Sequence, residues 1–402
     1  MKILFLSNRG LLPIKDGHTR RSYNILKGLA EQNQVYFLSL YETPEEIEQN
    51  NVNELKSFCS HVEFHHAPLK KLSIPMLLRL TRSLFSMDAY TIWRHYSRSF
   101  LKRVDELIST GEFDLVHCDT LPLAYTVRAR SDIFRSITDH DVSYLKCLRM
   151  GEECKNILLK MFMILESIKL KKLESDIFKH VNLGIAVSDL DKNLFQELCP
   201  EGKFTVIENG VDIAFFKPIN KDVLKNKLVW VGGFEHYSNK QGMYYFMDNI
   251  YPTIKKLIPE IELDVIGGGV TEKLMNMANN DKSINLLGFV DNTLPYIHRA
   301  AVFIVPILSG GGTRLKVIEA MSAGKAIVST RVGCEGIAGK DGKHFIIADS
   351  PTDFANAVLK IVLDDNLRNQ LGDCARELVK TKYDWHIIID KLCKIYQEVN
   401  EK

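Results

Sequence analysis

Residues 302–330 read VFIVPILSGGGTRLKVIEAMSAGKAIVST. The apolar run 302–305 reads as a buried strand that ends at Pro306. Three glycines, 310–312, follow it. Thr313 reads as a helix N-cap, and Leu315, Ile318 and Met321 recur at helical spacing. Gly324 reads as the helix stop, and Ala326 to Val328 as the next strand. A glycine loop that feeds a helix N-terminus offers free backbone N–H groups and the positive end of the dipole, so it suits an anion. Arg314 and Lys316 put two cations beside that loop. Glu319 lies further along the same helix, where it can reach a sugar hydroxyl while the loop holds a phosphate. The stretch therefore reads as a nucleotide-diphosphate site. The plainer reading is a strand–glycine–helix turn of the kind any α/β protein contains.

Upstream, the same alternation recurs. Residues 2–7, KILFLS, read as a short buried strand, followed by a loop containing Pro13 and Gly17, a helix over 19–31 and a strand over 35–40. Further strands are expected at 113–118 and 136–141. Strands alternating with helices imply a parallel sheet, and ligands of such sheets sit at the carboxyl ends of the strands. Asp119, Asp139, His140 and Asp141 are candidates by that position. A second cycle starts at the strand 228–231, continues through Gly232 and Gly233, a helix over 242–257, the strand 262–266 with glycines 267–269, and the segment 284–290. An amphipathic helix over 387–399 closes the chain.

Composition narrows the classes. Of 402 residues, 46% are hydrophobic and 25% charged, which is ordinary for a globular protein with two or three cores. The net charge of +2 carries no nucleic-acid signature. Eight cysteines form no CxxC pair and read as free thiols in a reducing compartment. No apolar stretch reaches about 18 residues, and the apolar run at the start is short for a secretory signal. The expectation is a cytoplasmic protein, either free or attached to the inner face of a membrane.

The segment GGGTRLKVIEAMSAGKAIVST resembles the donor-binding region of the family 4 retaining glycosyltransferases. The segments 184–188, GIAVS, and 204–212, FTVIENGVD, extend the likeness. The resemblance implies an α/β fold of the GT-B type, with two Rossmann-like domains facing a cleft. Residues 1–205 would bind the acceptor, residues 206–385 the nucleotide-sugar donor, and the helix 386–402 would cross back to the first domain. On the donor side it implies Gly233, Gly268, Phe289, Val290, Gly311, Gly312, Thr313, Lys316 and Glu319, with a UDP or GDP type of donor. Lys240 falls where the family has a phosphate-binding lysine, and Arg314 is a second cation for the leaving diphosphate. His140 falls where related enzymes face the donor sugar with a histidine. Gly17, His18, Arg20, Asp119, Asp139 and Asp141 are expected on the acceptor side. Two departures stand out. Phe234 replaces an arginine usual after the glycine, and Gly311 replaces the first of two glutamates eight positions apart, leaving Glu319 as the second.

The resulting expectation is sugar transfer from a nucleotide diphosphate to a hydroxyl of a glycan or lipid-linked glycan, in surface polysaccharide biosynthesis, without a metal or other cofactor. The alternatives are a nucleotide-sugar-binding protein without catalysis and a nucleotide-sugar 2-epimerase of the same fold. A dinucleotide oxidoreductase lacks its GxGxxG. Two segments remain. Residues 68–103 carry eight Lys/Arg against Asp88 among apolar residues, and residues 155–172 look similar. They read either as basic amphipathic helices for an anionic membrane surface or as ordinary helices with solvated faces. His61, His65 and His66 cluster without a metal-ligand spacing, and His117 reads as a core histidine.

Overall fold

Apolar runs bounded by turns build two sheets whose strands all run parallel. The structure, a computed structural model, describes residues 1–14, 16–41, 47, 49–67, 74–154, 156–219, 223–310 and 312–400. The first sheet contains β1 (Lys2–Ser7), β2 (Gln34–Tyr41), β3 (His61–His66), β4 (Leu115–Cys118), β5 (Phe134–Thr138), β6 (Leu183–Ala186) and β7 (Phe204–Val206), in the order β3-β2-β1-β4-β5-β6-β7. The second contains β8 (Leu224–Val231), β9 (Glu262–Ile266), β10 (Ile284–Gly288), β11 (Ala300–Val305), β12 (Ala326–Ser329) and β13 (Ile346–Ile347), in the order β10-β9-β8-β11-β12-β13. The chain forms two compact units, residues 1–208 with 388–402, and residues 209–387.

Helices flank these sheets, so β4, β6, β11 and β12 are buried at every position, as parallel strands covered on both faces require. In each sheet the winding direction reverses beside the first strand. Phe5 of β1 lies level with Phe37 of β2 on one side and with His117 of β4 on the other. Phe303 of β11 lies level with Val229 of β8. Loops leaving the two strands at such a reversal go to opposite faces, and a crevice opens at their carboxyl ends.

Local chemistry moved several boundaries. The helix expected over 242–257 is two helices, Tyr237–Asn249 and Tyr251–Leu257, because Pro252 lacks the N–H needed inside one continuous helix. β5 stops at Thr138, so Asp139, His140 and Asp141 stand in the loop beyond it. Residues 74–109 form three helices, Ile74–Leu84, Tyr90–Arg94 and Arg98–Ser109, and residues 68–73 lie outside the described residues. All eight cysteines are free. His61 and His65 both pair with Glu63, at 3.2 and 2.9 Å, and Arg103 shares that carboxylate.

The last helix, Trp385–Asn400, packs its far end on the first unit. Ile389 lies where a side chain on Gly28 would stand, and Tyr396 is buried with its hydroxyl 2.6 Å from His117 Nδ1 and 2.7 Å from Ser136 Oγ. Burial pushes His117 down to about 4, with Asp119 opposing. Between pH 6.5 and 4 an unfolded His117 takes up a proton while the folded one stays neutral, so this unit loses stability as pH falls through that window. Tyr396→Phe should cost about 1–3 kcal/mol by leaving buried polar groups unpaired. Urea denaturation at pH 7 measures this, and an unchanged midpoint would show that the last helix is held by apolar packing alone.

Candidate functional site

The switch point of the second sheet gathers the residues of the opening stretch. β8 ends at Val231 and β11 at Val305, and the helix Leu315–Ser322 starts beside them. Lys316, in its first turn, donates from Nζ to the Val231 carbonyl at 2.8 Å and to Asn239 Oδ1 at 2.9 Å, and lies 4.9 Å from the centre of the Trp230 ring. Asn239 in turn donates to the Gly233 carbonyl at 2.8 Å. Among the described residues no carboxylate lies within ion-pairing distance of Lys316. Burial, and then the neighbouring Arg314, push its amine down to about 7, while Glu319 pulls the other way. A cation so depressed gains from an added anion, which restores its charged form.

The glycines shape the floor. Gly267 has φ +152°, and a side chain there would meet the Gly232 carbonyl oxygen, so the β8 and β9 loops touch backbone to backbone. Gly267 also donates from its backbone N to the Gly288 carbonyl at 2.8 Å. Gly268 accepts from Phe234 N. The Glu235 carboxylate lies against Gly233, Gly268 and Gly269, where each added side chain would strike it or touch it. Phe289, just past β10, is 80% exposed, which suits a stacking platform for a planar base, and Val290 beside it is half-buried.

The loop before the helix is bound by local contacts. Gly312 has φ +71°, and Arg314 donates to its carbonyl. The helix N-cap is Arg314 and not Thr313, whose hydroxyl is buried without a hydrogen-bond partner among the described residues. That corrects the capping expectation: the positive-φ glycine turn carries the chain past Thr313 before helical geometry begins. Lys240 stands in the first turn of Tyr237–Asn249, half-buried, with no side-chain partner among the described residues. Glu319 is buried on the helix. Gly311 lies outside the described residues. Phe234 is buried against Trp230, ring centres 4.9 Å apart, so it belongs to the core and takes no place beside the glycines.

The first sheet brings a second group to its own switch point. Asp119, directly after β4, is buried and receives Ser22 Oγ at 2.6 Å. His140 Nε2 lies 2.9 Å from the Asp119 carbonyl and 3.2 Å from its Oδ1, and His18 Nε2 lies 3.5 Å from Oδ2. The two imidazoles stack with centres 4.0 Å apart. Burial would raise the Asp119 carboxyl, but His140 and His18 hold it well below the usual carboxylate range. Burial and the stacked His18 push His140 below its ordinary value. His18 is delivered by the helix Gly17–Gln32, started by a capping box in which Thr19 N donates to Asp16 Oδ1 at 2.8 Å. Arg21 fixes that helix by donating to the Ile207 and Glu208 carbonyls. The three side chains place one ligand atom each within 4.8 Å of one another. Stacked rings, however, aim their in-plane lone pairs side by side and not at one point, which suits hydrogen bonding better than tetrahedral metal ligation.

The remaining acidic residues fall elsewhere. Asp139 is buried with its Oδ2 unpartnered among the described residues, and burial, then Asp141 and Asp191, raise its carboxyl well above the ordinary range. The buried Glu174, which accepts from Ser143 N, is itself raised by burial and then by Asp139. Asp141 pairs with Lys146. Neither joins the histidine pair, because the chain turns over between β5 and the next helix. Gly17 opens its helix and is exposed, and Arg20 is half-buried one turn on. Reading the sequence missed Asn239, Glu235 and Trp230, since nothing in their spacing links them to Lys316.

Asn239→Ala should destabilise the second unit by about 1–3 kcal/mol, because it strips an acceptor from a buried amine. Guanidinium denaturation checks this. An unchanged midpoint would mean that the Val231 carbonyl alone holds Lys316.

Known proteins share both the sequence pattern and the architecture. Residues 15–215 match the model of Glycosyltransferase Family 4, and residues 225–364 match Glycosyl transferases group 1. A 44.6 kDa protein of the cps region of Klebsiella pneumoniae is 24% identical over 87% of this chain and 88% of that protein. A phosphatidyl-myo-inositol mannosyltransferase of Mycobacterium leprae is 25% identical over 54% of this chain, which spans only 59% of that relative's length. Among solved structures, sucrose-phosphate synthase of Thermosynechococcus elongatus superposes with a TM-score of 0.74 at 16% identity, covering 99% of each chain. Anabaena HepE in complex with UDP superposes with a TM-score of 0.69 at 14% identity, covering 99% of this chain and 100% of that one. With a family model over half its length and the two-sheet architecture of these structures, the chain belongs to glycosyltransferase family 4, the group 1 glycosyl transferases of GT-B fold.

Proposed function

We propose that the protein is a retaining glycosyltransferase. It takes a sugar from a nucleotide diphosphate of UDP or GDP type and gives it to a hydroxyl of a glycan or lipid-linked glycan, in surface polysaccharide assembly at the inner face of the membrane. The observation that carries this reading is Lys316: a half-buried amine with no carboxylate partner among the described residues, next to Arg314, at the glycine-lined switch point of the second sheet. A lysine amine so placed is costly without an anion and favourable with one. The names of structural neighbours lend support, since HepE is solved with UDP-glucose.

In this reading the second unit holds the donor. Phe289 stacks on the base, Glu319 hydrogen-bonds the ribose hydroxyls, and Gly233, Gly268, Gly312 and Thr313 border the diphosphate. As the glycosidic bond breaks, negative charge grows on the leaving diphosphate, and Lys316, Arg314 and Lys240 stabilise it there. These cations take the part that a metal ion plays in other transferases. The first unit presents His140, whose lowered proton affinity keeps it neutral at pH 7. A neutral imidazole can accept from or donate to a sugar hydroxyl while positive charge grows on the ring, with the Asp119 anion behind it. His18, Gly17 and Arg20 border the acceptor on the same edge.

A panel of UDP- and GDP-sugars, read for free nucleotide diphosphate and for sugar transfer, tests the proposal. Transfer to a hydroxyl with release of one nucleotide diphosphate supports it. Epimerised sugar nucleotide would identify a 2-epimerase, and tight binding with no turnover a binding protein. Glu319→Ala and Lys240→Ala should each lose about 1.5–3 kcal/mol of nucleotide diphosphate binding, roughly ten- to 150-fold in Kd. Calorimetric titration checks this, and unchanged affinity in both would sink the donor assignment. His140→Ala should lose transfer while donor affinity stays. A transfer rate within a few-fold of the unmodified protein would make His140 structural.

A further inference from the structure

The helix Ile74–Leu84 carries its apolar residues on the wrong side for a solvated surface. Ile74, Leu77, Leu78 and Leu84 are exposed, and Phe85 just beyond is 93% exposed, while the polar Ser83 is buried. A second stripe lies on the helix Ile157–His180. Leu158, Met161, Leu165 and Ile168 recur at helical spacing and are exposed, Leu158 by 75%. The later turns of that helix bury Leu170, Leu173 and Ile177 in the ordinary way.

The two stripes belong to one face of the first unit. Lys169 Nζ donates to the Ser83 carbonyl at 2.5 Å, Glu166 accepts from Tyr90 N, and the Tyr90 and Phe162 rings meet edge to face at 6.5 Å. An apolar face of this kind, left open on a soluble unit, marks a contact surface. Charge identifies what covers it. Residues 74–98 carry four arginines against Asp88, and Lys160, Lys171 and Lys172 accompany the second stripe with Glu166, whereas the whole chain nets only +2; Lys102 and Arg103 are paired with Glu106 and Glu63, and Lys169 is buried. A second copy of the chain would bring the same positive face against it. An anionic lipid surface complements both the apolar stripes and the charge.

We propose that this face docks on an anionic bilayer, with Phe85, Leu78, Leu158 and Leu165 entering the headgroup boundary. Arg82 lies over the Trp93 ring, 4.2 Å from its centre, an amphipathic pair suited to that boundary. Lys171 and Lys172, exposed beyond the second stripe, face the lipid headgroups. The contact goes beyond sugar transfer and does not depend on the donor site. It places the edge that carries His18 and His140 on a membrane-bound unit.

The test is sedimentation of the full chain with phosphatidylglycerol vesicles and with phosphatidylcholine vesicles, at low and high salt. Two double variants, Leu78→Ser with Phe85→Ser and Leu158→Ser with Leu165→Ser, change only exposed positions, so thermal unfolding should be unaltered. The expected result is binding to the anionic vesicles at low salt, weakened by high salt and by phosphatidylcholine, with each double variant lowering the bound fraction several-fold. No binding to anionic vesicles at low salt overturns the proposal. So does binding that the Leu158/Leu165 variant leaves unchanged. A dimer seen by light scattering, converted to monomer by the variants while vesicles go unbound, would assign the face to a second copy and also overturn it. Nucleotide diphosphate affinity, measured in the same variants, reports on the donor site separately.

Discussion

A lysine amine set down among backbone at a sheet reversal is the constraint on which the second unit depends. Lys316 hangs from the Val231 carbonyl and Asn239, over Trp230, with Arg314 adding like charge beside it. Removing a cation from water without a carboxylate partner is unfavourable. The fold tolerates it because Asn239, itself tied to Gly233, fixes the amine at the mouth of the glycine loops. The close approach of Gly267 to Gly232 leaves no room for a side chain at that point. In the proposed function, an anion at this point completes the charge.

The first unit solves the opposite problem. Its switch point holds a buried anion, Asp119, and balances it with two stacked imidazoles and the Ser22 hydroxyl. Burial and the ring stacked 4.0 Å away hold the proton affinity of His140 below its ordinary value. The same topology therefore yields a cationic edge in one unit and a hydrogen-bonding edge in the other. In the proposed function the cationic edge serves the leaving diphosphate and the hydrogen-bonding edge the sugar.

Much of this was legible in the chain. Apolar runs marked β1, β4, β8 and β11, ending before Asn8, Asp119, Gly232 and Pro306, because strands of a parallel sheet covered on both faces are apolar in their buried stretches. The cations Arg314 and Lys316 were visible because their offsets from the glycines are local. Three things were not legible. Asn239 lies 77 positions from Lys316, and only the strand order brings them together. The stacking of His18 on His140 depends on where the helix Gly17–Gln32 lands, which Arg21 and the carbonyls of Ile207 and Glu208 decide. Asp139 looked equivalent to Asp119, yet the turn after β5 sends it into the interior beside Glu174, where it favours its protonated form. Phe234, noted in the chain only as a departure from the family's arginine, is packed in the core against Trp230.

The central claim is that Lys316 waits for the charge of a nucleoside diphosphate. Nuclear magnetic resonance of lysine labelled at the side chain, titrated with pH in the free protein and with UDP or GDP bound, tests it most directly. The account predicts a Lys316 amine that titrates near 7 when free and moves up markedly when the nucleotide binds, as an opposite charge favours the protonated form. An ordinary lysine value in the free protein would contradict it, and so would a depressed value that neither nucleotide shifts.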